Sequence, residues 1–412
     1  MFAPLPYSSR KALIHAALVS VHAICISGAQ NFTARTASLD PFGVNGPLPF
    51  GGGLDGFGGG ALKGGFGAGL SLQSTYDSNL FLTEDDQESE VTLSLSPSFN
   101  YTTDPEGGAR AMISATYQPV GNVYLENSDL NAINQSGSLS MVISGSRTVV
   151  SAYAGYFQQS GADRLAGGFF TGSALSVGLH GSYQLAPRTS VFGSWSTSST
   201  DYGDNSAKGF EGYSANVGGF WAATELFSIG PSISYSTTDS ELAGTRDSWG
   251  FAVQANYKAA ERIQLAASLG TQYSENSRES EDGDFNLMGS LSATYQINEL
   301  WSWGASIQSG VVPSPTQSNY VINNWSFSSN LSRQLLIGSA AFGLSLDSSN
   351  FESVGPTATS QDPEKYVSSF ISYQRPIFND RVGFNTSLRY SFNNGQNDWS
   401  QIQLSAGLTT QF

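Results

Sequence analysis

From Phe66 to the end of the chain, apolar and polar residues take turns. Leu70, Leu72 and Tyr76 share one set of positions, while Ser71, Gln73, Thr75 and Asp77 hold the other. The pattern returns in Val91, Leu93, Leu95, Phe99 and Tyr101 against Thr92, Ser94, Ser96, Ser98 and Asn100. It returns again in Phe285, Leu287, Leu291 and Tyr295 against Asn286, Ser290, Ser292, Thr294 and Gln296. Successive side chains of a strand point to opposite faces, so a period of two predicts strands with one apolar and one hydrophilic face. Eighteen such strands are predicted, the first at 66–78, the third at 107–118, the fourteenth and fifteenth at 318–331 and 334–347, and the last at 398–412.

The connections sort by length. Short ones, such as those at Asp104, Ala186, Ala223, Ala259, Asn298 and Ile377, alternate with long ones at 79–89, 119–134, 160–170, 201–208, 276–282 and 348–363. Short turns at one end and long loops at the other are the signature of a membrane-spanning barrel. The pattern therefore predicts an all-β fold over 66–412, a transmembrane antiparallel up-and-down β-barrel of 18 strands, with 16 the next count. In a bilayer every backbone N–H and C=O must be paired within the protein, which strands achieve only by closing on themselves. Tyr76, Tyr101, Tyr117, Trp221, Tyr257, Tyr273, Tyr295, Trp301 and Tyr390 fall near strand ends, where interfacial aromatic girdles are expected.

The segment before the strands reads differently. Arg10 and Lys11 precede an apolar run from Ala12 to Ile26 that closes on Ser27, Gly28 and Ala29, the layout of an export signal over 1–29. Residues 30–65 are rich in Gly and Pro without periodicity, and read as a flexible periplasmic segment, either a tether or a plug for the lumen. Gly51, Gly53 and Gly56 satisfy G-x-G-x-x-G, but no strand precedes them and no amphipathic helix follows, so no nucleotide site is expected.

Composition narrows the chemistry. Cys25, the single cysteine, and two of the three histidines lie in the export signal, so a processed chain has no disulfide and keeps only His180 as an imidazole. With one candidate base and serine everywhere, no catalytic residue is assigned and no enzyme is expected. Without Arg10 and Lys11 the 18 basic residues become 16 against 33 acidic, a net charge of −17, which does not suit a nucleic-acid partner. No cofactor is implied.

Alternation assigns Ser176, His180, Gln184, Gln254, Asn256, Lys258, Gln264, Gln272, Asn286, Gln296, Asn385, Arg389 and Gln403 to the hydrophilic face, as the lining of a wet pore. These are amides and hydroxyls with few charges, which favours small hydrophilic solutes over strong ion selectivity. No regular aromatic track is visible on that face. Loops at 119–134 or 348–363 are expected to fold inward and narrow the lumen. Acid collects in the loop after the first strand, where Asp85, Asp86 and Glu88 are weak candidates for a divalent ion or for ion-bridged lipopolysaccharide, but lack the order of a calcium-binding loop.

Two resemblances sharpen this reading. The end of the chain, with Gly407 and the terminal Phe412, resembles the outer-membrane β-signal, although Thr410 stands where an aromatic is commoner. It implies handling by the barrel assembly machinery. At the end of the first strand, "TYDSNLFLT" resembles the Tyr-Asp-x-Asn-Ile/Leu-Phe sequence of the β-barrel porin 2 family of bacterial outer-membrane proteins, through Tyr76, Asp77, Asn79, Leu80 and Phe81. The resemblance implies an outer-membrane barrel of a Gram-negative cell, in contact with outer-membrane lipid and lipopolysaccharide, that is porin-like or a component of exopolysaccharide export; a barrel plugged by the Gly-rich segment or by loops, serving as a structural anchor with periplasmic partners, is the other reading. Asp77 and Asn79 are expected to end the strand and turn the backbone at the rim.

Overall fold

The computed structural model describes residues 65–103, 111–163, 168–203, 209–240, 244–277, 283–313, 320–353, 363–378, 381–395 and 398–412. The expected export signal, nearly all of the 30–65 segment and the turn at Asp104 lie outside these residues.

The described residues form eighteen strands in one sheet. The first nine are β1 (Gly65–Asp77), β2 (Glu90–Thr102), β3 (Ala111–Tyr124), β4 (Ala132–Ser144), β5 (Thr148–Asp163), β6 (Gly168–Ala186), β7 (Thr189–Tyr202), β8 (Phe210–Ala222) and β9 (Phe227–Ser240). The second nine are β10 (Gly244–Ala260), β11 (Ile263–Asn276), β12 (Asp284–Gln296), β13 (Trp301–Pro313), β14 (Tyr320–Gln334), β15 (Ser339–Ser353), β16 (Glu364–Ile377), β17 (Val382–Asn394) and β18 (Trp399–Gln411). Each pairs antiparallel with its neighbours in the chain, and β1 pairs with β18 from Gly69↔Gln411 to Asp77↔Gln403. The sheet is thus a closed up-and-down barrel without an edge. Eighteen strands, not sixteen, complete the ring.

Its faces are inverted relative to a soluble protein. Val217, Ile233 and Leu269 are 66%, 65% and 62% exposed, and the polar residues beside them in sequence point the other way. Such an all-round apolar exterior is what a bilayer requires. Around β8–β12 the outer aromatics touch in a row: Tyr213 to Tyr235, Tyr235 to Trp249, Trp249 to Tyr273 and Tyr273 to Phe285, at centroid distances of 6.0, 5.5, 6.2 and 4.9 Å. The Tyr235 and Tyr273 hydroxyls donate to Asp247 and Glu275, each at 2.8 Å. A ring in lipid and a hydroxyl in water is the interfacial use of tyrosine. Toward the other end, Phe227 meets Tyr257 at 6.2 Å and the Arg333 guanidinium lies 4.9 Å from the Trp301 ring.

Most predicted boundaries fall within about two residues of the strands; at the short-turn end β15 starts at Ser339 rather than 334, and the large extensions lie at outer ends. β3 runs on to Tyr124 and β15 to Ser353, well past the predicted ends at 118 and 347. At these outer ends strands continue above the apolar zone, where alternation fades while the backbone ladder persists. The expected inward loop at 119–134 is instead mostly strand, joined by residues 125–131 with a single 3-10 turn at Ser128–Leu130.

Candidate functional site: the lumen and its mouth

The inward face of each strand is set by parity, and the expected lining residues share it, with Lys258 exposed where the β10–β11 register shifts. Ser176, His180 and Gln184 alternate with the exposed Leu175, Leu179 and Tyr183 on β6, and Gln254, Asn256 and Lys258 alternate with Val253 and Tyr257 on β10. Gln272 stands opposite Asn286, and Gln264 opposite Thr294. Arg389 stands between Phe370 and Gln403. Gln184 and Gln296 are at the short-turn end, where their amides donate to the carbonyls of Pro187 at 3.4 Å and Asn298 at 2.6 Å, so they brace turns. Asn385 is buried and donates to Thr409 Oγ1 at 3.5 Å.

The rim sequence of β1 builds a clasp across the seam. Asp77 accepts from the Asn79 N–H at 2.9 Å, closing the expected turn, and from Gln403 Nε2 at 2.9 Å. Gln401 Nε2 lies 2.9 and 2.8 Å from its two carboxylate oxygens. Asn79, fully buried, donates to the Ser400 and Thr83 carbonyls at 3.0 and 2.8 Å and accepts from the Thr83 N–H at 3.1 Å. Tyr76 faces outward. Gly407 has a local role at the same seam: a Cβ there would stand 2.8 Å from Asn385 Oδ1 and 3.0 Å from the Leu72 carbonyl. Phe412, mostly exposed, donates its N–H to Ala68 at 2.8 Å.

Beside the clasp, Glu90 pairs in register with Asp77 and is buried. Its carboxylate accepts the N–H groups of Val91, Leu125, Glu126 and Asn127 and the Asn127 side-chain amide, at 2.9 to 3.1 Å. A carboxylate so surrounded stands in for the bonds that the 125–127 backbone would otherwise leave open.

The mouth is narrowed by a hairpin that leaves the wall. Pairing of β4 with β5 stops at Gln135↔Gln158, while β5 with β6 continues to Asp163↔Gly168. On the other flank β6 pairs with β7 only as far as Gly172↔Tyr202. Asn134 Oδ1 takes up the freed Ser160 N–H at 2.8 Å. The released end packs Ala162 with Leu82, Tyr366 and Trp399, which belong to the loop after β1, to β16 and to β18. Phe169 adds ring contacts to Tyr124 at 5.9 Å and Phe81 at 6.4 Å. Leu82 holds a left-handed backbone, φ 55°, which costs a non-glycine residue about 1 kcal/mol and is kept by its burial in this cluster. The inward-packing residues are therefore the outer ends of β5 and β6, Ala162 and Phe169 among them, rather than 119–134, while the larger part of 348–363 lies outside the described residues.

A second feature escaped the alternation. On β5–β8 the inward face carries aromatics: His180 stacks on Phe192 at 6.3 Å and Phe192 on Phe220 at 5.4 Å, toward the short-turn end. Nearer the mouth Phe170 meets Tyr202 edge-on at 6.5 Å, with Phe157 against them. Each strand contributes only one or two, so no single stretch displays them. The available signal was an aromatic on the polar parity facing a glycine on the next strand, as Tyr153 faces Gly178 and Phe192 faces Gly218. His180 Nε2 makes no hydrogen bond, so no serine–histidine pair forms there.

Asp85, Asp86 and Glu88 are exposed in the loop after β1, and among the described residues no three His, Cys, Asp or Glu side chains converge as a metal-binding group.

No family model and no curated protein matches the chain. Among solved structures it is similar to three from Pseudomonas aeruginosa. OccK2 (OpdF) gives a TM-score of 0.46 at 10% identity over 84% of this chain and 98% of that one. OccK1 (OpdK) gives 0.45 at 12% over 84% and 99%. OprD gives 0.42 at 12% over 84% and 95%. At this distance the architecture rests on the strand pairing, not on the likeness.

Proposed function

We propose that this chain is an outer-membrane channel through which small hydrophilic solutes diffuse passively. The observation that carries the reading is the opposition of the two faces: leucine, valine and tyrosine outside, serine, glutamine and asparagine inside, around a closed ring of eighteen strands. A polar interior has no use in a barrel that never holds water, and an apolar exterior has no use outside lipid. Ser176, Gln254, Asn256, Gln264, Gln272, Asn286 and Asn385 would line the path, with Lys258 and Arg389 its sparse cations. The β5–β6 hairpin supports a restricted entrance rather than a wide pore. Lipopolysaccharide would face the acidic end, and the terminal Phe412 would serve recognition by the assembly machinery.

The test is single-channel recording in planar bilayers, using the full chain exported by a Gram-negative host and purified from its membranes. Discrete steps that shrink when permeating neutral solutes are added are the expected result. A folded, heat-modifiable barrel that carries no current would instead support a plugged barrel, and deleting residues 31–65 would show whether that segment is the plug.

A further inference from the structure

We propose that the wall formed by β5–β8 is a binding strip for neutral pyranose saccharides. The inference rests on the channel reading above and names its solute class.

The wall is uncharged. Its inward positions run from Val149 to Gln159 on β5, Phe170 to Gln184 on β6, Ser190 to Tyr202 on β7 and Phe210 to Phe220 on β8. None of them is Asp, Glu, Lys or Arg. The charged inward residues stand elsewhere on the ring, among them Asp77, Glu90, Lys258, Asp347 and Arg389. An ion or an aromatic acid crossing the β5–β8 wall finds no counter-charge, which ion-selective surfaces require.

The wall is also flat and aromatic. A Cβ at Gly178 would run into the Tyr153 ring, and one at Gly218 into the Phe192 ring. Each ring therefore lies against the backbone of the neighbouring strand, on the inward side of the wall and half-buried. Tyr153 and Phe157 are four residues apart on β5, about 13 Å along the strand, a distance that accommodates a disaccharide. Serines at 176, 182, 194, 196 and 198 surround the rings.

Two further polar atoms are unused by the protein. His180 Nε2 and Asn216 Oδ1 are buried without a partner, and both residues pair in register with Ser194. Both lie just beneath the surface of the wall, and a solute meets them when these side chains turn toward the lumen. A pyranose ring offers an apolar C–H face for the aromatics and a rim of hydroxyls for the serines and for these groups. An acyclic polyol offers the hydroxyls without the face. Binding sites of this kind combine apolar rings with a few placed polar groups.

The experiment titrates single channels with a panel of neutral glucosyl, galactosyl and mannosyl disaccharides, with sorbitol as the acyclic control. Saturable current block by at least one disaccharide and none by sorbitol is expected. Phe192→Leu and Phe220→Leu, which keep bulk but lose the flat ring, should raise the half-blocking concentration roughly 3- to 10-fold. Phe370→Leu, on β16 outside the strip, should leave it unchanged. Channels that conduct but show no saturable block, block by sorbitol alike, or equal effects of all three variants would overturn the strip and leave the channel standing. If no current is seen, the channel reading falls, and calorimetric titration of the folded barrel in detergent with the same panel decides the strip by itself: heat lost in Phe192→Leu upholds it, no heat overturns it.

Discussion

Gln401 on the last strand reaches both carboxylate oxygens of Asp77 on the first, at 2.9 and 2.8 Å, across 324 residues of sequence. This pair, with Gln403 and Asn79, fastens the seam at the mouth end, where the backbone ladder is otherwise joined only by hydroxyl contacts such as Ile402 N–H to Ser78 Oγ at 2.8 Å and Thr75 Oγ1 with Ser405 Oγ at 3.0 Å. Replacing Asp77 by Ala should cost about 3 kcal/mol, since hydrogen bonds to a charged acceptor are the strong ones and Gln401 and Gln403 are left without it. Asp77→Asn, which keeps an acceptor, should cost less. The temperature at which the barrel loses its compact mobility on a gel is the measurement, and equal values for Asp77→Ala and wild type would remove the clasp from the account.

Asn79 should be the most sensitive polar position of the rim. It is fully buried and its amide makes three hydrogen bonds, so Asn79→Ala is expected to cost about 2–4 kcal/mol and to loosen the loop that carries Leu82. Protease cleavage between 80 and 89, absent in wild type, reports it.

Glu90 is expected to order the residues it gathers. Glu90→Ala removes the acceptor of five donors, four of them backbone. Hydrogen exchange at Leu125, Glu126 and Asn127 should speed up by at least about tenfold, corresponding to about 1.4 kcal/mol of lost protection, while β10–β12 stay unchanged.

The hairpin across the mouth should limit current. Shortening the chain between Ser160 and Thr171 to a tight turn removes Ala162 from its contacts with Leu82, Tyr366 and Trp399. Conductance should rise, with the barrel still heat-modifiable. An unchanged conductance would mean that the narrowest point lies deeper, toward the level of His180.

Adjacent residues on β10 should respond oppositely to the same change. Val253 faces outward and is 41% exposed; an arginine there should cost about 2–4 kcal/mol in lipid and lower the folded yield. Gln254 faces inward beside Ser232, and Gln254→Arg should fold normally while shifting the reversal potential toward anions. Folding yield in vesicles and a salt-gradient reversal potential separate the two.

What could be read from the residues follows the reach of each interaction. Strand faces depend on a period of two, which Leu93 and Ser94 display within adjacent letters. The turn at Asp77 and Asn79 is local and was legible, but its partners on β18 were not, because register across the seam is decided only when the ring closes. The aromatic strip is dispersed over four strands, one ring at a time, and emerges only once Phe192 is set beside His180 and Phe220. The hairpin bend is a competition between wall pairing and packing on Trp399, and periodicity records neither.

The position of the clasp bears on how the barrel is made. Asp77 and Asn79 lie at the end of β1 and just after it, whereas Ser400, Gln401 and Gln403 lie on β18, far later in the sequence. Until β18 is in place, Asp77 keeps only the Asn79 N–H and Asn79 only its bonds to Thr83, and the bonds from Gln401 and Gln403 and to the Ser400 carbonyl are unmade. A chain cut short, or joined one residue out of step, leaves those groups open at the rim. Only a ring closed in register, Asp77 opposite Gln403, brings all of these groups together.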